Sequence, residues 1–195
     1  MKRKVYLLIF DGLADWEPAP ALCAITRADQ HLVVTVGFTE KPVTTMGGLR
    51  VLPDITLDRV NVAEADLFIL PGGTLWEQGA NEQVIDLLHE LHAAAVPIAA
   101  ICGATLEVAR AGLTTNVHHT SNAQEYLQMV LPDYEDQGYY VDALAISDQG
   151  IITASGLGNI EFGREIIQQL HLYSAEETQV WFDMFKHGIY PAVPA

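Results

Sequence analysis

The segment Pro97-Ile98-Ala99-Ala100-Ile101-Cys102-Gly103-Ala104-Thr105-Leu106-Glu107-Val108-Ala109-Arg110-Ala111-Gly112 decides the fold. Ile98 to Ile101 is a short apolar run, the mark of a strand buried on both faces. The run breaks at Cys102-Gly103 into a helical pattern that ends at Gly112. A strand that turns abruptly into a helix, with a nucleophilic residue at the corner, is a nucleophile elbow. Amide groups at a helix N-terminus favour an anion, so a thiol at this corner is expected to ionise more readily than a free one. The competing reading is an inert cysteine packed as a small hydrophobe.

Working outward, the same kind of apolar run recurs. Val5 to Phe10 ends at Asp11-Gly12, and Leu67 to Leu70 ends at Pro71-Gly72-Gly73. His31 to Phe38 is a further strand, rich in Val. Pro18 and Pro20 fit the first turn of a helix, where a missing N–H costs little. That helix carries Leu22, Cys23 and Ile25 and ends near Asp29. Val43 to Val51, with Gly47-Gly48 inside it, reads as a small hairpin. Asn81 is expected to cap a helix whose Val84, Leu87, Leu88 and Leu91 share one face.

After Gly112 a polar loop runs from Thr114 to Asn122, then a short helix from Ala123 to Leu131 stopped by Pro132. Val141 to Ser147 and Ile151 to Ala154 are expected to be strands joined by a tight turn. A helix with Phe162, Ile166, Ile167 and Leu170 follows. Ser174-Ala175-Glu176-Glu177 is a capping box opening a last helix, expected to bury Val180, Trp181, Met184 and Phe185. The alternation predicts an α/β sandwich with a mainly parallel sheet, a single domain spanning 1–195.

The chain carries a formal charge of −15 over 195 residues. Nucleic acids and anionic membrane surfaces are bound by clustered Lys and Arg, so neither is an expected partner. The basic start Met1-Lys2-Arg3-Lys4 is followed by six apolar residues, too few for a signal peptide. Cys23 and Cys102 make no disulfide framework, and a reducing, cytoplasmic setting is expected. Cys23 is read as a packed small hydrophobe. His89 and His92 lie three apart without further ligands in view and are read as surface residues, so no metal and no cofactor are expected.

In open α/β sheets ligands sit outside the carboxyl ends of the strands. Three such ends carry chemistry: Asp11 to Glu17, Pro71 to Thr74, and Ile101 to Ala104. Gly72, Gly73 and Gly103 could aim backbone N–H groups at one oxyanion. Glu17, directly before Pro18, could lie near the thiol, where a carboxyl tends to stay protonated, or could simply cap its helix. Asp11 and Asp15 compete for the acidic role.

The chain resembles the ThiJ/PfpI superfamily, related to the class I glutamine amidotransferase domain, over nearly its full length. The resemblance rests on Leu7 to Gly12 with Asp15-Trp16-Glu17, on Asp66 to Gly73, and on the elbow Ala99 to Thr105. It rests also on Ile152-Thr153-Ala154-Ser155-Gly156-Leu157-Gly158 with Glu161-Phe162. It implies a flavodoxin-like three-layer sandwich, usually a homodimer, with Cys102 the reactive nucleophile and Glu17 the acid hydrogen-bonded to it. Many members place a His about twenty residues after the elbow Cys. Alignment puts Thr120 there, with His118 and His119 just before it; a loop shift would make His119 the third catalytic group, or Asn122 could supply a polar contact. The pattern His119-Thr120-Ser121-Asn122 resembles an amidotransferase-like branch. Gly103 stands where protease-type members carry a His, and Ser155 where others carry an Arg.

Three functions are in view. The first is a cysteine-dependent hydrolase or amidase acting on a small amide or carbonyl compound, with Gly72, Gly73 and Gly103 as oxyanion donors. A glutathione-independent glyoxalase or an isocyanide hydratase lies within the same family range. The second is a redox-responsive stress protein that oxidises Cys102 without turnover. The third, the ligand-binding half of a transcription regulator, is disfavoured by the negative charge and by the want of a helix-turn-helix pattern.

Overall fold

The structure, a computed structural model, describes residues 2–79 and 81–191. A seven-stranded sheet is built from β1 (Arg3–Ile9), β2 (His31–Gly37), β5 (Ile55–Thr56), β6 (Ala65–Leu70), β7 (Ile98–Ile101), β8 (Ala145–Asp148) and β9 (Ile151–Ala154). Their order across the sheet is β5-β2-β1-β6-β7-β9-β8. Every pairing is parallel except β8 with β9. The continuous apolar runs occupy the middle: β6 and β7 are buried almost end to end, because helices cover the sheet. The fold is α/β and flavodoxin-like.

The helices are α1 (Ala19–Ala28), α2 (Glu82–Ala93), α3 (Thr105–Arg110), α4 (Gln124–Val130), α5 (Asn159–Gln169) and α6 (Ala175–His187). α1, α5 and α6 pack together, and α2 packs with α3. Their ends follow local rules. Pro18 and Pro20 bracket the first residue of α1, which stops at Asp29 in the left-handed conformation. The Asn81 side chain accepts the Val84 N–H, and Ser174 and Glu177 form the reciprocal capping box. The Gly47-Gly48 excursion is a two-stranded hairpin, β3 (Val43–Thr44) with β4 (Arg50–Val51).

Three expectations need correction. The strand before β9 begins at Ala145, because Val141 is drawn away: its N–H bonds to the His119 carbonyl at 2.8 Å. The last helix buries Thr178 and Phe182, with the Arg164 guanidinium 4.5 Å over the Phe182 ring. Val180, Trp181 and Met184 are half-buried, and Phe185 is 54% exposed, since neighbouring helices cover α6 from one side alone. Cys23, expected to pack inward, is exposed on α1. Among the described residues no helix is long and apolar enough to cross a membrane.

Candidate active site

The strand order places the carboxyl end of β7 between those of β6 and β9. Cys102 leaves β7 and is therefore flanked by the loop after β6 on one side and the loop after β9 on the other. Its φ is 60°, the left-handed region that non-glycine residues rarely adopt, at a cost of about 1–3 kcal/mol. The Thr105 hydroxyl holds the turn by donating to the Cys102 carbonyl at 2.7 Å. The elbow is present and half-buried, with its sulfur facing the neighbouring loops.

Two glycines make room for it. A Cβ at Gly72 would lie 2.6 Å from the Cys102 Cβ and 2.6 Å from Glu17 Oε2. A Cβ at Gly156 would lie 3.0 Å from the sulfur and 3.3 Å from Glu17 Oε1. Thiol and carboxyl thus meet between two backbones that come too close for any side chain. Gly156 follows β9, and the parallel β7–β9 pairing makes its backbone a wall of the site.

The acidic role goes to Glu17. It is 1% exposed, and its Oε2 accepts the Gly72 N–H at 2.7 Å. It does not cap α1, whose cap residue Pro18 receives no side-chain bond. Asp11 accepts the Thr44 N–H at 2.8 Å, and Asp15 accepts from the Thr45 hydroxyl at 2.8 Å and the Gly47 N–H at 3.2 Å. Both aspartates hold the β3–β4 hairpin instead. Burial pushes the Glu17 carboxyl up to about 7, against the weaker opposing pull of the Gly72 N–H and the sulfur.

The thiol departs from expectation. Burial first, then the nearby Glu17 charge, push Cys102 above its ordinary value, while Asn122 and the Gly103 N–H pull it down. Desolvation therefore outweighs the helix-end amides that were expected to ease ionisation. The repulsion from Glu17 operates when that carboxyl is charged, so the two groups titrate as a pair.

Of the proposed oxyanion donors, Gly72 spends its N–H on Glu17 and so positions the acid. Gly73 and Gly103 remain. Gly73 has φ 155°, and a Cβ there would run into the Phe10 ring at 2.7 Å. The loop beneath is anchored by Trp76, fully buried, whose indole N–H donates to the Pro71 carbonyl at 2.9 Å.

The polar loop after α3 resolves residue by residue. His118 is turned to Asp148, with Nδ1 3.0 Å from its carboxylate. His119 is buried with both ring nitrogens engaged, Nδ1 with the Val117 carbonyl at 2.7 Å and Nε2 with the Tyr134 hydroxyl. A carbonyl can only accept, so Nδ1 carries the proton and Nε2 accepts from Tyr134. Burial lowers the His119 pKa, consistent with this neutral form. His119 thus sits in a structural network and does not reach the thiol, contrary to the role expected for it.

Thr120 donates to the Ala143 carbonyl at 2.8 Å, and Ser121 bonds Thr105 of the elbow at 2.6 Å. These two pins deliver Asn122 to the sulfur. Its Nδ2 lies 3.4 Å from Sγ, and its Oδ1 accepts the Gly156 N–H at 3.0 Å. The Gly156 contact fixes which end of the carboxamide faces the thiol. Asn122 is twenty positions after Cys102, and it is the residue at that spacing that touches the nucleophile.

Comparison with known proteins identifies the family and the fold. Residues 3–169 match the DJ-1/PfpI family. The chain is 35% identical over 191 residues to a Bacillus subtilis (strain 168) protein named uncharacterized protease YoaZ, covering 94% of this chain and 91% of that one. It is 26% identical over 170 residues to deglycase TK1284 of Thermococcus kodakarensis, covering 86% and 99%. The crystal structure of a ThiJ/PfpI family protein from Bacillus anthracis superposes with a TM-score of 0.90 at 32% identity, over 97% of this chain and 92% of that one. The chain belongs to the DJ-1/PfpI family.

Proposed function

We propose that the protein is a cysteine-dependent hydrolase of small amides, with Cys102 as nucleophile. The observation that carries this reading is the meeting of Cys102, the protonatable Glu17 and Asn122 between the Gly72 and Gly156 backbones. The Cys102 sulfur adds to the amide carbon as its proton passes to the Glu17 carboxylate, forming the C–S bond and moving the C=O π electrons onto oxygen. The Gly73 and Gly103 amides hold that oxyanion. As the C–N bond breaks, the Glu17 carboxyl gives its proton to the departing nitrogen. Water then hydrolyses the thioester, Glu17 takes back a proton, and the thiolate is released. With His119 engaged elsewhere, Glu17 carries the proton traffic alone. The protease and deglycase names of relatives point to the same general class of bond-breaking chemistry.

A screen of small amides and glyoxals with wild type and Cys102→Ser tests the proposal. Amide turnover lost in the variant supports it; turnover confined to glyoxals overturns it. A second reading, a redox-responsive thiol, is favoured by one observation. The groups around the sulfur are donors that would also hold an oxidised sulfur anion. Absence of any turnover together with ready peroxide oxidation of Cys102 would select it. The protein is further proposed to act in the cytoplasm, apart from nucleic acid and membranes, as a homodimer. The dimer reading is supported by exposed Trp16 and Leu157, chain neighbours of Glu17 and Gly156, and by exposed Met46 beside Gly47, which Asp15 holds. A monomeric mass in sedimentation equilibrium would refute the dimer.

A further inference from the structure

The Gly73–Gly103 side of the site carries a pair that hydrolysis does not use. Tyr126 lies four residues after Asn122 and turns its hydroxyl toward the elbow: a Cβ at Gly103 would lie 3.4 Å from that oxygen. The same hydroxyl donates to Glu77 Oε1 at 3.0 Å. Glu77 stands four residues after Gly73, in the short turn Thr74–Gln78 that the buried Trp76 anchors. The phenol is pushed well above its ordinary range, first by burial and then by Glu77, with Cys102 also contributing, against the weaker opposing pull of Arg110. Tyr126 thus links Glu77 to the Gly103 side of the elbow.

Glu77 is exposed, and among the described residues no basic side chain pairs with it. Arg110 is taken: its Nη1 donates to the Trp76 carbonyl at 2.7 Å and to the buried Glu107 at 2.8 Å. Tyr126 has one O–H and gives it to Glu77, so its oxygen offers only lone pairs to a ligand. The exposed Glu77 carboxylate brings further lone pairs and a negative charge. The surroundings of the elbow are therefore polarised. Asn122 and the Gly103 amide present donors to sulfur or oxyanion, and the Tyr126–Glu77 wall presents acceptors and a carboxylate.

We infer that Glu77, held in place by Tyr126, is the specificity determinant of the site and selects a carbonyl compound bearing a primary ammonium group near the reacting carbon. The assignment rests on Cys102 as the reacting group and narrows the substrate class of the proposed hydrolase to cationic amino amides. A glyoxal, which has no N–H to offer, leaves the acceptor wall unanswered.

The test separates this inference from hydrolysis itself. In a Cys23→Ser background Cys102 is the one remaining thiol. Its rate of disulfide formation is measured with cationic 2-aminoethyl methanethiosulfonate and with neutral methyl methanethiosulfonate; in each the thiolate attacks sulfur and methanesulfinate leaves. Glu77→Gln is expected to lower the cationic-to-neutral rate ratio about five- to tenfold, and Tyr126→Phe to lower it less. Glu90→Gln, which removes the same charge at a remote exposed position, is expected to hold the ratio within about twofold. An unchanged ratio in Glu77→Gln, or an equal fall in Glu90→Gln, overturns the assignment. A ratio that falls as expected without amide turnover by wild type supports the assignment and retires the hydrolase.

Discussion

His119 and Asn122 lie three residues apart on one loop and do opposite things. His119 faces inward, closed off by Val117 and Tyr134, and is held neutral by burial. Asn122 faces the sheet edge, and each end of its carboxamide meets a group of the site, Gly156 and the sulfur. The residue with acid–base chemistry is spent on packing, and the residue without it is placed on the nucleophile. The type of a side chain tells what it can do; the direction of the chain at that point tells whether it is used. A site with Asn in this place can stabilise a thiolate but cannot carry its proton away, which leaves proton transfer to Glu17.

The largest expected effect falls on the inward side. His119→Ala removes a buried ring and orphans the Tyr134 hydroxyl, and should lower stability by about 2–4 kcal/mol in urea unfolding. Alkylation of Cys102 in the folded variant should stay within about twofold of wild type. A marked fall in thiol reactivity would return His119 to the site and erase the contrast.

The second effect is a pH dependence set by Glu17. Its folded pKa, about 7, lies above the ordinary 4.5. Between these values the folded chain keeps a proton that the unfolded chain has lost, so stability falls as pH rises. The contribution is complete below about pH 4.5 and is lost as pH passes through about 7, a loss of about 3 kcal/mol. Glu17→Gln should remove that slope while its amide oxygen still accepts the Gly72 N–H. The same variant should lower the thiol pKa of Cys102, since Glu17 raises it by charge and by hydrogen bond. Equal slopes for wild type and variant, or a rise in the thiol pKa, would refute this account of the pair.

The smallest effect belongs to Asn122. Asn122→Ala removes one donor to sulfur, worth about 1 kcal/mol, and should slow alkylation of Cys102 near neutral pH about fivefold. Its unfolding midpoint should move far less than that of His119→Ala, because Asn122 is exposed. A variant as destabilised as His119→Ala would show that the two positions are not separable.

The apolar runs of β1, β6 and β7, the elbow at Cys102, the prolines opening α1 and the caps at Asn81 and Ser174 were all legible in the amino-acid order. Each depends on residues within a few positions of one another, and hydrophobic period or a local hydrogen bond settles it. Choices that join distant parts of the chain were not. Asp11, Asp15 and Glu17 are equivalent as letters, and only the packing of the loop after β1 against the hairpin and Gly72 sends Glu17 to the thiol. Cys23 and the outer face of α6 read as core because their spacing is apolar, yet no layer lies over them. Helical period reports that a face is apolar and says nothing of what covers it. The pairing of Tyr126 with Glu77 gave no signal at all, since the two lie 49 positions apart and meet only through the loops around the elbow. The sequence alone determined that a thiol would stand at the end of a buried strand. Tertiary structure decided its neighbours, because the registers of β1, β6, β7 and β9 bring residues 17, 72, 102, 122 and 156 to one point.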